Sequence, residues 1–426
     1  MLLRAALVVL VLVGTEAFFT WLSIANLRHG RRRLAERADW VRERFGVDEP
    51  MELADYQRAR AGIGALDSWG LLGVLVLVLV SGLLGDAVVA LQGTGLGPLA
   101  QGAVFFAGVA VAGSLLGLPF DAVETFVVEE LFGFNEQGPR LFVRDATLKL
   151  VIGAVLAAAL GAALLWAVAT FPRWWAAVGA VLFAAFVLVM QVGYPRVIAP
   201  LFYDFVPIES GELREAVDDV FERAGFECEQ VYEMDASRRS GHSNAYFVGF
   251  GRTKRVVLFD TLIEQMTIGE MQAVLAHELA HWKRAHVWKL IGASTLQVGL
   301  LLGVAQLLLD GGWLAGLFGL PAGATYAELF LALLVVGPLG RWLAPVSNRV
   351  SLAFEREADD IAVAVTDVPS MVDALSTLVS ENLSNPFVHP LYETFHASHP
   401  PIPERIRRLE ERGSPDADRS EDATAL

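Results

Sequence analysis

His277-Glu278-Leu279-Ala280-His281 lies inside an apolar-periodic run that starts at Ile268 and continues through Val274 and Leu275 to Trp282. Histidines four apart stand one turn above each other on a single helix face, so both imidazoles can reach one metal ion. Glu278, beside the first of them, can reach a water held there. Eight histidines in 426 residues make a chance H-E-x-x-H match rare. The helix start is also written in the sequence: Thr267 with Glu270 three residues on is a capping box, and Met266 and Met271 occupy the positions of a hydrophobic staple. Lys283 and Arg284 suit a carboxyl-terminal half. His286, five residues after His281, falls well round the helix, so it reads as structural or cavity-lining and not as a third ligand.

This spacing is the one zinc hydrolases use to cleave peptide bonds, with two histidines, one carboxylate and a water. The third ligand must come from another segment. Phe354-Glu355-Arg356-Glu357-Ala358-Asp359-Asp360 is helical in pattern, and Glu355 and Asp359 share a face. One of them can bind the metal while the other orients a ligand histidine. By residue type, Glu355, Glu357 and Asp359 all qualify.

Outward from these segments the chain is a membrane protein. It is 54% hydrophobic and 19% charged. Seven apolar stretches reach the roughly 20 residues a bilayer requires, at about 4–26, 69–92, 98–119, 146–171, 174–196, 287–309 and 326–346. Arg341, inside the last, calls for snorkelling or pairing. Arg28, Arg31, Arg32 and Arg33 follow the first stretch. The positive-inside rule then predicts an outer amino terminus, with loops 27–68, 120–145 and 197–286 and the tail in the cytoplasm. No clear small-residue cleavage site follows the first stretch, which therefore reads as a retained helix. The predicted organisation is membrane helices over 1–196, a catalytic segment over 197–286, two more membrane helices over 287–346, a second catalytic segment over 347–412, and a disordered acidic tail over 413–426. The net charge of −15 sits mainly in the soluble segments and argues against nucleic acid as a partner. The single cysteine, Cys228, excludes an intramolecular disulfide and reads as a small core residue.

Two further segments bear on chemistry. Between Ser243 and Asp260, β-rich runs flank a Gly/Thr/Lys turn, which predicts a hairpin. Its strand after Asn244 can pair with an extended peptide by β-augmentation. Gly249 and Gly251 lie in that hairpin and make no phosphate loop. His399, in His396-Ala397-Ser398-His399-Pro400-Pro401, can donate to a developing oxyanion; on residue type alone, a structural turn leading into a helix at 404–411 is preferred.

Taken together these segments resemble the Ste24-type integral-membrane zinc metallopeptidases, the CAAX prenyl protease 1 family. The similarity covers Glu124–Glu130 with Gly133-Phe134-Asn135, His242–Phe247, Val257–Leu262, His277–Lys283, Glu355–Asp359 as an E-x-x-A-D motif, and Ser398–Pro401 with Arg405. The resemblance implies an all-α polytopic membrane fold. About seven helices would enclose a water-filled chamber, with a gluzincin-like catalytic domain that contains a small β-hairpin. It implies one Zn2+ per chain held by His277, His281 and Glu355, with Asp359 and Arg405 behind the ligands and Glu278 as the base. His399 would stand at the oxyanion, and Asn244 and Ala245 along the substrate. The implied substrate is a peptide or protein cut near its carboxyl terminus, of the prenylated CAAX type or otherwise flexible and membrane-associated, handled beside membrane lipid. The pattern departs in one place: Ser351 is followed by Leu352 where the family often has arginine. The rival readings are an HtpX-like quality-control protease, which has fewer spans, and a non-catalytic membrane chaperone or transporter, which the intact H-E-x-x-H disfavours.

Overall fold

The computed structural model describes residues 2–226, 230–249 and 254–412. Cys228, Gly251 and the 413–426 tail lie outside them. The chain opens with α1 (Leu2–Glu36), α2 (Ala38–Phe45), α3 (Pro50–Ser81), α4 (Leu83–Gln92) and α5 (Pro98–Val123). After a π-helical stretch at 124–129 come α6 (Pro139–Thr170) and α7 (Trp175–Gly193). The segment between α7 and the next long helix holds β1 (Phe205–Pro207), α8 (Glu212–Arg223), β2 (Gln230–Met234), β3 (Ala245–Val248), β4 (Arg255–Phe259), α9 (Asp260–Gln265) and α10 (Ile268–Lys283). Then follow α11 (His286–Asp310), α12 (Leu314–Leu317), α13 (Thr325–Val365), α14 (Val368–Glu381), α15 (Pro390–His396) and α16 (Ile402–Arg412).

Among the described residues, seven helices are long and apolar enough to cross a membrane, those of α1, α3, α5, α6, α7, α11 and α13. The second predicted span needs correcting. The apolar run at 69–92 is continuous in sequence, but the helix breaks after Ser81 at Gly82, whose φ of 86° is left-handed. A hydropathy window cannot see a change of backbone hand, which glycine permits at no steric cost. The span is α3, and α4 is a separate ten-residue helix. Close packing between α5 and α6 uses missing side chains: a Cβ on Gly102 would collide with Leu165, and one on Gly161 with Phe106. Small residues at such contacts let membrane helices approach. Arg341 is paired: its guanidinium lies 2.7 Å from Glu16 and over the Phe19 ring.

At one end of the bundle Leu84, Val88, Trp175, Leu314, Phe318 and Leu320 share a core. At the other end a second core draws on segments from Leu34 to Leu409. Leu34, Phe45 and Leu53 pack with Val217, Leu258, Met271, Leu279, Leu375 and Leu409. The hairpin of β3 and β4 is present, but it is half of a four-stranded mixed sheet ordered β1-β2-β4-β3. β2 runs parallel to β4, Val231 opposite Val256, and β1 closes the far edge. A three-residue strand ending in Pro207 is too short to show periodicity, and proline fits there because β1 is an edge.

α13 is 41 residues long, about 60 Å at helical rise, twice the roughly 30 Å hydrocarbon layer. It therefore carries the last span and the Glu355–Asp359 segment on one rigid rod. A cavity of about 550 Å³ opens between α6, the stretch 125–137, the segment 194–203 that follows α7, and Arg239 and Ser240. A neighbouring one of about 260 Å³ shares Thr125, Glu129, Gln137, Asp145 and Lys149 with it. Glu129, Asp145 and Lys149 bring ionisable groups to both cavities.

Candidate metal centre

α10 starts as the sequence predicts. Thr267 accepts from the Glu270 amide, and the Glu270 carboxylate accepts from the Thr267 amide at 2.7 Å. That buried carboxylate also accepts from Thr377 of α14 at 2.6 Å. Burial pushes its pKa up, but the hydrogen bonds from Thr377 and Thr267 outweigh this and hold it below the usual carboxylate range. The cap thus fixes the helix against its neighbour before the histidines are reached.

His277 and His281 project from the same face of α10 toward α13. Their Nε2 atoms are 3.3 Å apart. Glu355 faces both, with Oε2 3.2 Å from His277 Nε2 and Oε1 3.3 Å from His281 Nε2. Bonds of about 2.0–2.1 Å at tetrahedral angles hold ligand atoms roughly 3.3–3.4 Å apart. The two histidine nitrogens and the Glu355 carboxylate, which meets each of them with a different oxygen, are thus spaced on the scale a divalent ion requires. His399 Nδ1 also reaches Glu355 Oε2, at 2.5 Å. The set His277, Glu355 and His399 also brings donor atoms within 4.8 Å of one another, but the His399 side chain is 57% exposed against 18% for His281. The more buried set, His277, His281 and Glu355, is the candidate ligand set.

Behind His277, Nδ1 lies 3.0 Å from Asp359 Oδ1, and Asp359 is fully buried. Arg405 grips that carboxylate from the other side, Nε to Oδ2 at 3.0 Å and Nη2 to Oδ1 at 2.5 Å. Burial alone would lower the pKa of His277, but Asp359 and Glu355 outweigh it and raise it to about 9 in the metal-free protein. Glu357, one of the three candidate carboxylates, points elsewhere, to Arg284 and His286.

Asn244, Ala245, His277, Glu278, His399 and Arg405 line one cavity of about 310 Å³. β3 is the sheet edge there. The Phe259 amide donates to the Asn244 carbonyl, so by antiparallel alternation the backbone groups of Ala245 and Phe247 face away from β4. The Ala245 N–H is covered by the Asn244 side chain, at 2.8 Å.

A second polar cluster was not legible in the sequence. The Tyr56 hydroxyl lies 2.9 Å from both Glu129 and His242 Nε2, and His242 Nδ1 is 3.1 Å from Asn382. His242 also stacks on Phe134 at 4.0 Å. Four distant segments meet directly before β3. Single polar residues in separate segments carry no periodicity that links them, although His242 and Glu129 both fall in segments quoted for the resemblance.

Residues 207–413 match the family profile of peptidase family M48, and residues 38–204 that of the CAAX prenyl protease N-terminal region, described as five membrane helices. A CAAX prenyl protease 1 homolog of Oryza sativa subsp. japonica is 36% identical over 311 residues, 73% of each chain. CAAX prenyl protease 1 of Saccharomyces cerevisiae is 31% identical over 335 residues, 73% of this chain and 72% of that one. The Homo sapiens homolog is 30% identical over 358 residues, 74% and 75%. The fold matches the crystal structure of S. mikatae Ste24p with a TM-score of 0.85 at 24% identity, covering 95% of this chain and 98% of that one. With both halves matched in order and the donor triangle of His277, His281 and Glu355 lying inside the 207–413 match, the chain belongs to peptidase family M48 as a membrane metallopeptidase of the CAAX prenyl protease 1 family.

Proposed function

We propose that this protein is a zinc endopeptidase that cuts flexible, membrane-associated polypeptides near their carboxyl termini, prenylated CAAX-type chains among them. The observation that carries the reading is the donor triangle of His277, His281 and Glu355 beside a cavity whose wall includes the open edge of β3. Two imidazoles and one carboxylate are the donor set of peptide-cleaving zinc sites. One zinc ion held there supplies Lewis-acid polarisation of the scissile carbonyl and a water of lowered pKa.

The chain's own residues do the rest. Glu278 adjoins His277 but is absent from the triangle, and it is half-buried in the cavity wall. It takes the proton from the attacking water and passes it to the leaving amine. His399 donates to the carbonyl oxygen as charge develops. Asp359, held by Arg405, keeps the His277 proton on Nδ1 so that Nε2 stays a donor. An extended substrate lies along β3, displacing the Asn244 side chain from the Ala245 N–H. Backbone pairing tolerates many sequences, so selectivity comes from access to the interior and from any lipid held among the helices. The active site faces the cytoplasm, on the strength of the arginines at 28–33.

The test is cleavage of one peptide in prenylated and plain forms by purified protein, with sites located by mass spectrometry. Metal-dependent cuts near the carboxyl terminus are expected. Intact peptide after long incubation with zinc-loaded protein would remove the reading and favour the non-catalytic alternative.

A further inference from the structure

α10 does not continue into α11. Between them Ala285 has a φ of 56°, a conformation that residues with a Cβ seldom adopt. On an unbroken helix His286 would stand about 140° round the axis from His281. The break turns it back, so that its Nδ1 lies 3.2 Å from His281 Nδ1. His286 is fully buried. Its ring is stacked on Phe354 at 4.1 Å and 7°, one residue before Glu355. On the far side, His286 Nε2 is 3.0 Å from Glu357 Oε2, and Glu357 Oε1 is ion-paired with Arg284 Nε at 2.8 Å.

The protons can run through this chain in one sense only. His281 turns Nε2 toward His277 and Glu355, so as a metal donor it carries its proton on Nδ1 and donates to His286 Nδ1. That atom accepts only when the His286 proton sits on Nε2, where Glu357 receives it. Arg284 anchors the carboxylate. We propose that His286 is a positioning residue: with Glu357 and Arg284 it fixes the tautomer and ring plane in which His281 presents Nε2 to the metal. It would do for His281 what Asp359 and Arg405 do for His277, from the opposite side of the site. The inference rests on the ligand set proposed above.

The full-length protein, stripped with a chelator and titrated with zinc against a chelating indicator, provides the test. His286→Leu should weaken zinc binding about 10–100-fold, the range for removing such a partner. His286→Asn, whose amide oxygen can take the place of Nδ1 as acceptor, should recover most of it. Glu357→Leu should weaken binding in the parent and change nothing further in His286→Leu. Parent-like affinity in His286→Leu, or equal losses in the Leu and Asn variants, would overturn the role. Should His286→Leu not fold, Glu357→Leu alone decides, and unchanged affinity there overturns it too. His281→Ala separates the two levels. Zinc retained by that variant would remove the ligand set and the inference with it, whereas zinc lost there but untouched in His286→Leu would remove the inference alone.

Discussion

Single side chains set the chemistry, and the sharpest case is Glu278. It stands next to a candidate ligand yet outside the donor triangle, so Glu278→Gln should keep metal and fold while turnover falls by about 10²–10⁴-fold, the usual worth of a positioned acid–base group. Near-parent turnover in a variant with full metal content would remove it as the base. Glu355→Ala should lose most bound metal; stoichiometric retention would move the third ligand elsewhere. His277 makes a pH prediction. Its pKa in the metal-free protein is raised to about 9 from an ordinary 6.5, so its pairing with Asp359 and Glu355 stabilises the fold fully below pH 6.5 and is lost as pH rises through about 9. Metal must displace that proton. The metal-free protein should therefore lose thermal stability between pH 6.5 and above 9 while the loaded protein does not, and loading at pH 7.5 should release about one proton. Loading without proton release would show His277 unprotonated in the free protein.

At the scale of elements, the metal site depends on how α10 is anchored. Its cap is a reciprocal Thr267–Glu270 box whose carboxylate also binds Thr377 on α14. Thr267→Ala should destabilise the protein by about 1 kcal/mol, within the range of roughly 0.5–2 for lost caps, as read from thermal unfolding in detergent. A neutral result would mean that tertiary packing alone holds the helix start. Cap and staple residues were readable because they lie within one turn of each other. The α10–α11 break was not: Lys283, Arg284 and Ala285 are good helix formers, and only packing forces Ala285 to φ 56°. That is why His286, placed by helical spacing well away from His281, turns out beside it. β1 and β2 escaped notice for a related reason. Their pairing partners are remote in sequence, and strands of three and five residues carry little period of their own.

For the whole molecule, the chain's two ends of the bundle make an orientation test. Arg28, Arg31, Arg32 and Arg33 predict that the catalytic end is cytoplasmic. In a Cys228→Ala background, a cysteine at Ser210 should resist impermeant reagents in intact cells, and one at Thr94 should be labelled. The reverse pattern would invert the topology. The cavity beside α6 and the site beside β3 also predict selection by flexibility. A compact folded protein should survive, while the same protein with an unstructured tail should be cut in that tail. Equal cleavage at equivalent sites in folded and flexible substrates would count against an enclosed chamber.

Some of this was written locally and some was not. Hydropathy alone determined that the chain has seven membrane-crossing segments, because a bilayer demands about 20 consecutive apolar residues. The i,i+4 spacing alone determined that His277 and His281 share a face, because 3.6 residues make a turn. Which carboxylate completes the triangle was open among Glu355, Glu357 and Asp359 by residue type. Their distances separate the candidates: Glu355 faces both histidines, Asp359 stands behind one of them, and Glu357 turns to Arg284 and His286. That choice depends on the rotation of a 41-residue helix against α10, set by packing between residues some 80 positions apart, and no local pattern in a sequence encodes such a rotation.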